Sequence, residues 1–215
     1  MKNKKSSAIF SELKEHLPFT LLVSLFAGAL VAVLYFVGRV PTEELFEIAH
    51  PAHILVSAAA TAGIYWKYAG RVAANRLPLT AWMKTVLVGV SGAILIGALS
   101  DVLLPFFGGR VFGLETAFHL PLLEMPVLIL GLSFLGAVIG MYFDVFKLTH
   151  SLHVFLSVFA SLFYLLAFSV ELSAAAVLLM SGLVFLVVYI PCCLSDIVFP
   201  LFFIDKPCVG CGHFH

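Results

Sequence analysis

The chain carries two His-x-x-His pairs, His50/His53 and His150/His153, and two Leu-Ser-Asp-x-x-x-Pro stretches whose acids are Asp101 and Asp196. Histidines at i and i+3 of a helix share one face, with Cβ atoms ~5–6 Å apart, and can hold one ion together. Two imidazoles and a carboxylate suit Zn, Fe(II), Mn or Co, with positions left open for water or further ligands. Without metal, the same residues would be hydrogen-bonding glue between helices or a proton relay. Haem is a further alternative, since a bis-His site also uses buried histidines. It requires one His per axial position, and neither a second His one turn away nor an Asp.

Other donors surround this set. His16 and His119 each precede Leu-Pro at the head of an apolar stretch. Each could be a vestibule ligand, or an interfacial side chain before a proline that opens a helix. Glu124 follows Pro121 by three residues and is a candidate auxiliary ligand beside His50, His53 and Asp101. Cys192 and Cys193 precede Asp196 by four and three residues, close to its helix face. As ligands they would soften one half of the site and favour Zn, Fe or Cu over Mn or Mg; otherwise they are small buried hydrophobes. The C-terminal stretch gathers Cys208, Cys211, His213 and His215 within eight residues. That compact thiol and imidazole cluster has zinc-type donors and reads as a metal-capture tail.

These residues recur in a fixed order. Glu44-Leu45-Phe46-Glu47-Ile48-Ala49-His50-Pro51-Ala52-His53-Ile54 aligns with Asp144-Val145-Phe146-Lys147-Leu148-Thr149-His150-Ser151-Leu152-His153-Val154, and Ser57 and Ala60 then match Ser157 and Ala160. Leu99-Ser100-Asp101-Val102-Leu103-Leu104-Pro105 matches Leu194-Ser195-Asp196-Ile197-Val198-Phe199-Pro200, and His16-Leu17-Pro18 matches His119-Leu120-Pro121. In this alignment Gly97 and Ala98 stand opposite Cys192 and Cys193, and Leu21 opposite Glu124. Apolar low-complexity sequence mimics helix similarity by chance. It does not place six of eight histidines and two aspartates in the same order, so the chain is an internal duplication.

The elements that must position them are membrane spans. Of 215 residues, 62% are hydrophobic and 11% charged, with mean hydropathy +1.11, whereas a soluble domain carries about a quarter charged residues. With zero net charge as well, a soluble enzyme, a disordered chain and a nucleic-acid binder are excluded. Six segments suit a ~30 Å hydrocarbon core: about 18–38, 43–66, 80–107, 121–140, 142–168 and 172–203. The expected fold is therefore all-α, a polytopic membrane protein with six transmembrane helices. Residues 1–17 form an N-terminal surface segment, 18–110 and 111–203 the two three-helix repeats, and 204–215 the tail. An odd number of spans per repeat inverts the second copy relative to the first, a transporter architecture. With both termini on one side, that side collects Lys2, Lys4, Lys5, Lys14, Lys67, Arg71, Arg76, Lys84, Lys147 and Lys206, against Arg39 and Arg110 opposite. The termini are then cytoplasmic, a reducing compartment in which a disulfide framework is not expected. A tight turn is expected at Gly140, and helix interruptions at Pro51, Pro105, Pro191 and Pro200.

These features point to an integral cell-membrane carrier of a divalent transition metal, zinc or iron foremost, moved by alternating access of the two repeats around the His/Asp ligands. Its partners are the metal ion and the lipid bilayer, with homo-oligomerisation open and no nucleic acid. Two alternatives stand beside it. One is an intramembrane metalloenzyme, in which the two His/Asp sets form a dinuclear centre acting on a lipid or quinone. The other is a haem-binding membrane protein. No separate nucleophile or cofactor fingerprint marks a catalytic residue.

Overall fold

A computed structural model describes residues 42–70, 78–143, 146–169 and 194–204, with scattered positions between 14 and 38 and at 184, 188, 191 and 192. Every regular element among them is helical. Helix α1 (Thr42–Tyr65) opens with Glu43 and Glu44 in its first turn, where carboxylates complement the helix dipole. It continues through Pro51 without a break, contrary to the interruption expected there. A proline removes one backbone bond, and a helix held by neighbours on several sides tolerates that loss.

Helix α2 (Pro78–Ala98) passes through a five-residue π-helical turn, Leu99–Leu103, into α3 (Leu104–Val111). Within it the Leu104 N–H reaches back five residues to the Leu99 carbonyl. Pro105 has no N–H to offer the Asp101 carbonyl and its ring would crowd that oxygen, so the ladder widens just ahead of it. The second Leu-Ser-Asp stretch does the same: Leu194–Val198 is π-helical and runs into α7 (Phe199–Phe202), which contains Pro200. Both aspartates thus sit on widened turns, a local geometry frequent at functional sites.

The stretch expected as one span over 121–140 is divided. Helix α4 (Pro121–Glu124) ends at Met125 (φ −127°, ψ 54°), and α5 (Pro126–Tyr142) begins immediately after. Pro126 accounts for the division, because the residue before a proline is pushed out of the helical region. The next break falls at Phe143, which is extended, rather than at Gly140, and α6 (Phe146–Phe168) follows.

Gly140 instead serves packing. A Cβ built there would lie 2.0 Å from the Ala59 carbonyl oxygen of α1, and one at Gly136 would lie 2.0 Å from that of Leu55. This is a small-xxx-small contact that lets two helix backbones touch. Gly140→Ala is therefore expected to force α1 and α5 apart and to destabilise the detergent-purified protein by about 1–3 kcal/mol or more, read as a lowered Tm. Gly131→Ala on the same helix, with open space around its Cβ, is expected to leave Tm unchanged.

Helix α1 lies at the centre, packed against α6, α5 and α2. Leu79–Val111 and Thr149–Phe168 are long and apolar enough to cross a membrane, and Pro126–Tyr142 is a shorter apolar helix. Leu79, Met83, Leu87 and Leu95 make an outward apolar stripe along α2. The Ser91 hydroxyl in that stripe donates to the Leu87 carbonyl (2.6 Å), so it needs no water.

Candidate metal centre

Helices α1 and α6 run antiparallel. Phe46 near the start of α1 packs on Tyr164 and Phe168 near the end of α6, while Thr61, late in α1, reaches Asp196 beside the early α6 histidines. Each helix presents a buried polar stripe at three- and four-residue spacing: His50, His53, Ser57 and Thr61 on α1, and His150, His153, Ser157 and Ser161 on α6. All eight residues are at most 1% exposed.

The two stripes build matching triads. His50 Nδ1–H and His53 Nδ1–H both donate to Asp101 Oδ2, at 2.9 and 2.5 Å. His150 Nδ1–H and His153 Nδ1–H donate to Asp196 Oδ2, at 2.8 and 2.5 Å. An ionised carboxylate only accepts, so each Nδ1 carries the proton, and a ring in its neutral form has its lone pair on Nε2. Asp101 and Asp196 therefore stand behind the imidazoles and orient them, the carboxylate–histidine arrangement common at metal sites. Expected from sequence as ligands alongside the histidines, here they are the histidines' hydrogen-bond acceptors.

Hydroxyls complete the carboxylates, across the duplication. Ser157 Oγ–H donates to Asp101 Oδ1 (2.8 Å), joined there by Ser100 (2.8 Å), while Ser161 reaches the Ser100 carbonyl (3.1 Å). In return Thr61 Oγ1–H donates toward Asp196 Oδ1 (3.3 Å) and lies 3.4 Å from the Ser195 carbonyl. Each half thus helps to hold the other half's acid. Ser100, Ser157, Ser161 and Thr61 were missed by a search for ligating residues. The signal was present, as hydroxyl residues four apart on the histidine face in both copies.

The triads meet. The His53 and His153 rings stack with centroids 4.5 Å apart and planes 25° from parallel. Among the described residues, neither His53 Nε2 nor His153 Nε2 has a hydrogen-bond partner, although both rings are wholly buried. Cys192, also buried, brings its sulfur within 4.8 Å of a nitrogen of each ring. Among the described residues, three buried groups could therefore hold a metal ion: His50/His53/Asp101, His150/His153/Asp196 and His53/His153/Cys192.

His119 and Glu124 lie apart from the triads. His119 Nδ1 pairs with Glu124 Oε1 at 3.0 Å, and its ring stacks on Phe168 (4.6 Å) and meets Phe46 edge-on (5.7 Å). Phe46 in turn stacks on His50 (5.5 Å), so an aromatic side chain separates the outer imidazole from the triad. Tyr164 pins the loop, donating to the Ala117 carbonyl (2.9 Å) and accepting the His119 backbone N–H (3.3 Å). Glu124 is thus a partner of His119 rather than an addition to His50, His53 and Asp101. His16, Cys193, Cys208, Cys211, His213 and His215 lie outside the described residues.

No protein-family model matches this chain, and neither a curated protein nor a solved structure matches it. The class this fold and site define is an all-helical protein with helices able to cross a membrane and buried His/Asp clusters able to hold a metal ion.

Proposed function

We propose that the chain is a six-span membrane carrier of a divalent transition metal ion, built as two inverted three-helix repeats with both termini cytoplasmic. The observation that carries this reading is the reciprocal pair of His–His–Asp triads that meet at the His53/His153 stack. Antiparallel α1 and α6, each carrying one of two matching triads beside that stack, suit an inverted repeat. Among the described residues, the polar contacts to Asp101 and Asp196 come from imidazoles and hydroxyls, so a cation between the triads meets uncompensated negative charge. In a bilayer such charge is costly unless it serves a site. The outward stripe on α2 suits lipid.

The stack also favours an ion over haem, because rings lying face to face are not the end-on imidazoles that axial ligation needs. Alternating access would rock one repeat against the other, exposing the centre first past Phe46 and His119 and then from the opposite face. Proteoliposomes test the reading: time-dependent Zn(II) or Fe(II) uptake above protein-free vesicles is expected. Tight binding with no uptake would overturn it in favour of an intramembrane metalloenzyme.

A further inference from the structure

We infer that the carried ion sits in a single soft site on the seam between the two halves, ligated by His53 Nε2, His153 Nε2 and Cys192 Sγ, and that the cargo is a thiophilic or borderline divalent ion of the Zn(II) and Cd(II) class. This rests on the carrier reading and narrows it.

Two features select these three atoms. The Nδ1 atoms of His53 and His153 are committed to Asp101 and Asp196, which leaves Nε2 as the nitrogen each can offer. Both Nε2 atoms are buried without a hydrogen-bond partner among the described residues. A polar atom left unpaired in an apolar interior costs free energy that packing alone would not retain, and the two rings that carry such atoms stack beside one sulfur. Zn–N bonds of ~2.0–2.1 Å and a Zn–S bond of ~2.3 Å put ligand atoms roughly 3.3–3.8 Å apart; one nitrogen of each ring and the Cys192 sulfur lie within 4.8 Å of one another. Three protein ligands leave one position open, the arrangement of sites that must exchange what they hold.

The duplication supplies the argument for one site rather than two. Gly97 aligns with Cys192, and Ile54 with Val154. A Cβ at Gly97 would lie 2.3 Å from Ile54 Cδ1 and 3.8 Å from His53 Cε1. In the first half the extra methyl of Ile54 thus occupies the space beside His53 that a side chain at 97 would need. In the second half valine replaces isoleucine, and a thiol stands at the matching position. Val154 and Cys192 share one apolar cluster. The halves trade volume, and the trade leaves a thiol on one side only. Ion binding breaks the Cys192 S–H bond, forms the metal–sulfur bond and releases one proton, with no redox change.

Co(II) is the probe, added to the full chain in lipid nanodiscs, because a thiolate ligand gives it a charge-transfer band in the near ultraviolet. The other cysteines contribute equally to wild type and to Cys192→Ser, so the difference spectrum isolates Cys192. The expected result is loss of that band component, with Cd(II) affinity falling at least about tenfold, since a direct ligand should matter no less than the groups that orient one. Ile54→Val with Gly97→Cys makes the converse test, independent of whether Cys192→Ser folds: it should add a second thiolate contribution. Identical Co(II) spectra and Cd(II) affinities in wild type and Cys192→Ser would overturn the soft site. Wild-type metal uptake into proteoliposomes reports separately on the carrier reading, which stands if uptake persists and falls if uptake is absent.

Discussion

Replacing Asp101 by Leu is expected to cost the protein its fold, whereas Asp101→Asn should leave it folded with metal affinity lowered about ten- to a hundredfold. Asp101 is wholly buried and accepts from His50, His53, Ser100 and Ser157. Leucine would leave the two imidazole N–H donors unsatisfied and strip both hydroxyls of their carboxylate, at about 1–3 kcal/mol per lost acceptor. Their sum, on the order of 5 kcal/mol or more, is comparable to the whole stability of a typical domain. Asparagine keeps the shape and one acceptor oxygen but not the charge that holds two imidazoles by their Nδ1 protons. Thermal unfolding and size-exclusion profiles in detergent separate the two variants. Asp101→Leu behaving as wild type would show that the hydroxyl and imidazole network does not hold the helices together.

The second large effect belongs to the paired rings. If His53 and His153 are ligands rather than supporting groups, His53→Asn combined with His153→Asn is expected to lower Zn(II) affinity by more than about a hundredfold and to bring uptake to background. Either single substitution should already remove most of the uptake, because two ligands acting on one ion are not additive. The same rings set the pH response. Protons compete with metal for imidazole nitrogen, so wild-type affinity should fall as pH drops and recover as pH rises. Isothermal titration across pH reads this, and affinity independent of pH would argue against imidazole ligation.

The centre was legible in the sequence to the extent that it was duplicated. Two His-x-x-His pairs and two Leu-Ser-Asp stretches in one order named His50, His53, Asp101, His150, His153 and Asp196, and the structure brings all six together. Which atom of each would face an ion was not legible. Spacing puts two histidines on one face, but whether a carboxylate sits beside them or behind them depends on how α6 and the π-helical turns cross α1. The partnership of Ser157 with Asp101 and of Thr61 with Asp196 is likewise a tertiary fact, joining residues that no local pattern connects.

Helix punctuation is uneven for a related reason. A proline's local cost is fixed, but its outcome depends on what surrounds it. Pro51 is carried inside α1, Pro105 and Pro200 follow widened turns, and Pro126 ends α4. Gly140 reads as a turn in the sequence because one unbroken helix from Leu128 to Phe168 would overshoot the bilayer. In the fold its missing Cβ makes room for the Ala59 carbonyl instead.

Metal content of the purified full chain measures the central claim most directly. After equilibrium dialysis against Zn(II) and elemental analysis, wild type is expected to hold one ion per chain more than the His53→Asn, His153→Asn variant, whatever the C-terminal Cys/His cluster binds in both. Equal metal content in the two proteins would contradict a metal centre at the His53/His153 seam, and with it the carrier built around that centre.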